Sequence, residues 1–129
     1  MRKILLILTT LLLLVGCAII KKRLPAPHPV KGGILFQYEA PSARQVNLAG
    51  DFPDNQWMKD GDKVGVMYDD GTHGDLVAND GIWSLVKNLS IGRYKYKFVV
   101  DRNTWVEDPN APETTDDGYG GKNSVLIVK

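Results

Sequence analysis

The chain has 129 residues, enough for one folded domain, with 43% hydrophobic and 24% charged residues, which is ordinary for a globular protein. Its 16 Lys and Arg against 15 Asp and Glu leave a formal charge of +1, which gives no basis for an electrostatic grip on nucleic acid. The one cysteine excludes an internal disulfide.

Arg2 and Lys3 open the chain, and Ile4 to Val15 follows as an apolar run. Spanning a bilayer takes ~20 residues, so this run reads as the hydrophobic region of a signal peptide. Leu14-Val15-Gly16-Cys17 resembles a bacterial lipobox. That resemblance implies a signal peptide over residues 1–16, cleavage before Cys17, and acylation of the Cys17 thiol and the new amino terminus. Several acyl chains anchor stably where one is marginal. Ala18 stands where an inner-membrane retention signal would carry aspartate, which favours the outer membrane in a two-membraned bacterium. Residues 17–32 are then expected to be the lipid anchor and a spacer. Lys21, Lys22 and Arg23 can meet anionic head groups, and Leu24 to Pro29 alternates proline with other residues, which stiffens and extends a chain. His28 falls in that spacer and is assigned no chemistry.

The folded domain is expected over residues 33–129. Ile34 to Glu39 reads as a first strand and Gln45 to Ala49 as a second. Gly50 to Trp57 is turn chemistry ending in a large aromatic. Val64 to Tyr68 reads as a short third strand, and Asp69 to Gly81 as a long loop rich in Gly and Asp. Ile82 to Leu89 is a fourth strand, in which Trp83 is expected to pack. In Arg93 to Asp101, Tyr94, Tyr96, Phe98 and Val100 fall on one parity and Arg93, Lys95, Lys97 and Val99 on the other. As a strand, this fifth segment buries its aromatics and turns its lysines outward. Thr104 to Glu107 is a sixth strand, Asp108-Pro109 breaks the sheet, and a Gly-rich stretch around Tyr119 leads into a last strand, Ser124 to Val128. No stretch has sustained helical periodicity. About seven short strands separated by turn signals predict an all-β, immunoglobulin-like (early-set) β-sandwich.

The Asp69–Gly81 loop offers Asp69, Asp70, Asp75 and Asp80, oxygen ligands of the kind calcium takes. It lacks the EF-hand pattern, and Asp-Gly pairs are also plain turn formers, so these residues are only a weak calcium candidate. No cofactor is implied. Neither His28 nor His73 has an evident Ser or Cys partner. Glycoside hydrolysis needs two carboxyl groups held ~5–9 Å apart across a cleft, for which so small a domain has little room. The expectation is a protein that is not an enzyme.

The ordered set VNLAGDF…W, DGIWS, GRYKYKFVVD, W-x-x-DP and GGKNSVLIV resembles the family 48 carbohydrate-binding modules, which include the glycogen-binding domain of the AMP-activated protein kinase beta subunit. The resemblance runs from about Ile34 to the C-terminus. It implies a β-sandwich that holds α-1,4-glucan without catalysis. Carried over residue by residue, it makes Trp57 and Trp105 the stacking pair and Lys97 and Asn123 the polar clamps. Tyr119 lies where some members thread an apolar side chain through a cyclic glucan. The implied partners are an α-glucan and, through the N-terminal anchor, a membrane. The alternative is a structural or protein-interaction sandwich of the cell envelope, binding envelope proteins, that has lost sugar binding.

Three departures from the family pattern matter, and the first two, the altered spacings at Trp105 and Trp57, motivate that alternative. Lys97 to Trp105 is one residue longer than in the kinase domain, Phe52 to Trp57 is two residues longer than the usual F-x-x-W, and the Asp69–Gly81 loop is extended. The first bears on geometry. If Asp101 to Asn103 closes the turn, Val99 faces Trp105, which then shares the outer face with Lys97. If two residues close it, Val100 faces Trp105, which turns inward. Burying both Lys97 and Trp105 would be costly, which favours the outward register.

Overall fold

The computed structural model describes residues 24–129. The signal segment 1–16, Cys17 and the basic run Lys21 to Arg23 lie outside the described residues. Eight strands follow in order: β1 (His28–Val30), β2 (Gly33–Glu39), β3 (Val46–Gly50), β4 (Ile82–Lys87), β5 (Gly92–Val100), β6 (Thr104–Val106), β7 (Glu113–Asp116) and β8 (Lys122–Val128). One sheet has the order β1-β2-β4; the other has the order β3-β5-β8-β7, with β6 also paired to β5. All these pairings are antiparallel. The fold is the expected immunoglobulin-like β-sandwich, with eight strands in place of about seven.

The core lies where the inner faces of the two sheets meet. Phe36 on β2 meets Tyr96 on β5 edge-on at 5.2 Å between ring centres, and Tyr38 stacks on Phe98 at 4.8 Å. Phe52 closes one end against Phe36 at 5.9 Å. Val46, Leu48, Met67 and Leu126 fill the space between. The alternation in β5 places Tyr96 and Phe98 in this core as the parity requires. Tyr94 and Val100 are only half-buried at the strand ends, while Val99, on the outward parity, is fully buried.

Several expected elements differ. His28–Val30, read as part of a spacer, is an edge strand whose residues pair with Leu35, Ile34 and Gly33. An edge tolerates Pro29, which cannot donate to a ladder. Val64 to Tyr68 is not a strand. Gly65 sits at φ +70, and a Cβ there would lie 2.1 Å from Leu48 O. The extended run breaks at that glycine, leaving single bridges from Val66 to Asn47 and from Tyr68 to Ser84. Glu113–Asp116, β7, carries a polar ETTD sequence that gives no hydrophobic alternation to read.

The aspartate of the W-x-x-D-P motif is a structural anchor. Asp108 is buried. Its Oδ2 accepts from the Tyr96 hydroxyl at 2.6 Å, its Oδ1 from Asn110 N–H at 2.8 Å, and its own N–H donates to Ser124 Oγ at 2.7 Å. Burial pushes the Asp108 carboxyl above the usual carboxylate range, against the lowering effect of the Tyr96 hydroxyl. The turn after β6 is thereby fastened to the middle of β5 and the start of β8. Tyr96→Phe keeps the ring and strips Asp108 of its buried donor, so it should cost about 1–3 kcal/mol of stability. In urea denaturation the midpoint should fall with the m-value unchanged.

Candidate functional site

The outer face of the second sheet carries a groove of about 490 Å³ lined by Asp51, Trp57, Lys95, Lys97, Trp105, Asp117, Tyr119 and Asn123. All five residues singled out in the sequence, Trp57, Lys97, Trp105, Tyr119 and Asn123, line this one concavity. They come from four segments: the turn after β3, strand β5, strand β6, and the β7–β8 turn running into β8.

Trp105 owes its place to register. Val99 pairs with Trp105 and Val100 with Thr104, so Asp101 to Asn103 closes the hairpin. The extra residue of spacing is taken up by the turn, where Asp101 and Arg102 adopt φ of 49° and 71°. Asp101 holds that shape: its Oδ1 accepts from Arg44 N–H at 2.7 Å and Gln45 N–H at 3.0 Å. These two N–H groups keep its carboxyl below the usual range. Trp105 therefore shares the face of Lys97 and is 44% exposed.

Trp57 is placed by a buried amide that sequence reasoning missed. Gln56, Trp57 and Met58 all have positive φ, at 44°, 58° and 61°, a left-handed turn that non-glycine residues seldom adopt. Asn55 locks it. Its Oδ1 accepts from Gly50 N–H and Met58 N–H, both at 3.0 Å, and its Nδ2 donates to Leu48 O at 2.9 Å. The two residues added between Phe52 and Trp57 are absorbed in this turn, and the indole still reaches the groove. Asn55 follows a Pro-Asp pair in a turn-like stretch, so only its burial distinguishes it.

Lys97 and Tyr119 are held through Asp117, also unanticipated. Lys97 Nζ donates to Asp117 Oδ2 at 2.8 Å, and Asp117 Oδ1 accepts from Tyr119 N–H at 2.7 Å and Gly121 N–H at 3.0 Å. The Lys97 ammonium and these two N–H groups hold the Asp117 carboxyl down to about 2. Tyr119 itself is 94% exposed. Asn123 sits on β8 opposite Thr115. Lys95 shares the outward parity of Lys97, which made it legible in the sequence. Asp51, whose Oδ1 accepts from Lys95 N–H at 2.9 Å, was not. Trp83 is outside this groove: it is half-buried against the core and its Nε1 donates to Ala40 O at 3.0 Å.

The weak calcium candidate is narrower than the sequence suggested. Asp69, Asp75 and Asp80 converge with oxygens within 4.8 Å of one another, without Asp70. Asp70 instead accepts from Thr72 N–H at 3.0 Å. Backbone donors serve the cluster: Gly81 N–H to Asp69 at 2.9 Å, Gly71 N–H to Asp75 at 2.8 Å and Ile82 N–H to Asp80 at 3.0 Å. Burial pushes the Asp69 carboxyl up, and the neighbouring Asp80 and Asp75 add to that rise.

Chemically, the groove offers three aromatic side chains around a floor of ammonium, amide and carboxylate groups. Rings of this kind stack on apolar faces, while the floor donates and accepts hydrogen bonds. Residues 34–129 match the family described as the glycogen recognition site of AMP-activated protein kinase, and the chain belongs to that family. Among solved structures, PulA from Klebsiella pneumoniae in a maltotriose complex is 18% identical, with a TM-score of 0.53, over 82% of this chain and 11% of that one. A ligand-free single-site mutant of the same protein gives 18% and 0.52, over 82% and 10%. This chain thus spans about a tenth of those structures, and the likeness is one of fold. A search of curated proteins found no match.

Two outcomes follow from the turns. Asn55→Ala leaves Gly50 N–H and Leu48 O without their buried partner, so a loss of about 2 kcal/mol or more is expected in denaturant unfolding, together with a shift in tryptophan emission as Trp57 is released. Asp117 has a folded pKa depressed from its ordinary 3.8 to about 2, so its contribution is complete above the ordinary value and is lost as pH falls through about 2. The Tyr119 and Gly121 amide resonances should hold their positions down to pH 4 and move only below it.

Proposed function

We propose that this domain binds α-1,4-glucan chains, glycogen or maltodextrin, in the groove between Trp57, Trp105 and Tyr119, and that it does so without catalysis. The observation that carries the reading is the convergence of three aromatics, Lys97 and Asn123 in one concavity on a chain of the glycogen-recognition family. A pyranose ring has an apolar C–H face that stacks on indole, and hydroxyls at its edge that need donors and acceptors. The longer spacings that motivated an envelope-protein alternative do not scatter these residues, because each added length is absorbed in a turn.

The binding reading also suits the acid–base character of Asp117. A glycosidase acid must keep its proton near neutrality, whereas Asp117 gives its proton up at about 2 and is engaged with Lys97. We further propose that Cys17 carries the domain on a membrane as a lipoprotein, the outer membrane where there are two. Individual contacts are modest, so affinity for a short chain is expected to be roughly millimolar to micromolar. Many anchored copies on one polymer would raise retention through effective concentration.

The test is co-sedimentation with glycogen and with amylose. The wild-type domain should be retained and Trp105→Ala should bind about tenfold more weakly. Equal retention of the two proteins, or of neither, would remove the glucan reading. For the anchor, labelling with a fatty-acid analogue in a bacterial host should mark the wild-type full chain and spare Cys17→Ser.

A further inference from the structure

Asp117 occupies the turn between β7 and β8, and its two carboxylate oxygens do different jobs. Oδ1 shapes the turn by accepting from Tyr119 and Gly121 N–H, and the Asp117 N–H closes it on Gly121 O at 3.1 Å. Oδ2 reaches across to β5 and holds Lys97. Gly121 leaves room for this, since a Cβ there would lie 2.9 Å from Asp117 Oδ2. The two side chains are sheltered, at 16% and 12% exposure, so their attraction is screened less than that of an open surface pair.

The pairing changes what the groove can select. With Asp51 and Lys95, the lining holds two carboxylates and two ammonium groups, a balanced set. An unpaired Lys97 would tip that balance and draw in anionic ligands, among them glucan chains bearing phosphate esters. Paired, Lys97 gives Asp117 one of its three N–H donors and keeps the others, and the carboxylate keeps lone pairs. Donor and acceptor side by side match two adjacent ring hydroxyls, one accepting from Lys97 and the next donating to Asp117. We propose that Asp117 is a specificity-determining residue: it fixes Lys97 and the Tyr119 turn as one unit and cancels the Lys97 charge, so that the groove takes uncharged glucan in preference to phosphorylated glucan. This rests on the glucan-binding reading above.

The test compares titration calorimetry with maltoheptaose and with maltoheptaose bearing a 6-phosphate, at low salt. Asp117→Asn keeps an oxygen to accept from the turn amides but sets an NH2 group opposite Lys97. Wild type should favour the neutral sugar, and Asp117→Asn should shift the affinity ratio toward the phosphorylated sugar by about fivefold. Lys97→Gln leaves the carboxylate uncompensated and should shift the ratio the opposite way, which keeps the proposal open to failure even where Asp117→Asn folds poorly. Neutral binding retained with an unchanged ratio in both variants would overturn the role of Asp117 alone. Wild type binding neither sugar would instead remove the glucan reading itself, and the specificity with it.

Discussion

The pairing of Val99 with Trp105 is the constraint on which the groove depends. Side chains alternate along a strand, so a shift of one residue would carry Trp105 from the wet face of the second sheet into its core face. The Asp101–Asn103 turn prevents that shift, and it does so with unusual backbone angles that Asp101 satisfies through the Arg44 and Gln45 amides. From this register follow the shared face of Trp105 and Lys97 and the concavity they border. The covering of Val99 on an otherwise outward parity belongs to the same face.

Around that hairpin, three polar side chains replace regular structure as the means of placing aromatic ones. Asn55 holds a left-handed turn that presents Trp57. Asp117 shapes the turn that presents Tyr119 and reaches Lys97. Asp108, behind the sheet, ties the end of the Trp105 segment to Tyr96 and Ser124. Asn55 and Asp108 saturate buried backbone and hydroxyl groups that would be costly to leave unpaired, whereas Asp117 works on the exposed turn amides of Tyr119 and Gly121. Loops so fastened present their side chains from the rigid scaffold of the strands beside them. The turn after β3 and the β7–β8 turn contribute Trp57, Asp117 and Tyr119 to the lining of the groove beside the strand residues.

The Asp69–Gly81 loop serves the fold in a different way. Gly74 lies so close to Leu35 and Val86 that a Cβ would sit 2.8 Å and 2.9 Å from them, so the loop covers the outer face of the first sheet. His73 stacks on Tyr68 at 3.7 Å, and the aspartates bond mainly to N–H groups of the loop itself. Burial, and after it the neighbouring Asp80 and Asp75, raise the Asp69 carboxyl, while the loop gives Leu35, Ser84 and Val86 a compact cover. The groove lined by Trp57, Lys97 and Trp105 is on the other sheet, so the length of this loop leaves its geometry untouched.

Much of this was legible in the sequence because it depends on period and composition. The alternation in Arg93 to Asp101 showed β5 and its two faces. The apolar runs showed β2, β3, β4 and β8, and the order of short motifs pointed to the family and to Trp57, Lys97, Trp105, Tyr119 and Asn123. What stayed hidden depends on contacts between segments distant in the chain. The polar strand β7 and the proline-bearing strand β1 exist because a neighbouring edge accepts them, and Val64 to Tyr68 fails as a strand because Gly65 must pass close to Leu48 O. Asn55 and Asp117 read as ordinary turn residues until folding surrounds them with the amides and the ammonium group they bind. Side-chain periodicity is a local property and can be read from one segment at a time. The choice of face for Trp105, and the convergence of four segments on one groove, are set by pairings that exist only once the sheets have formed.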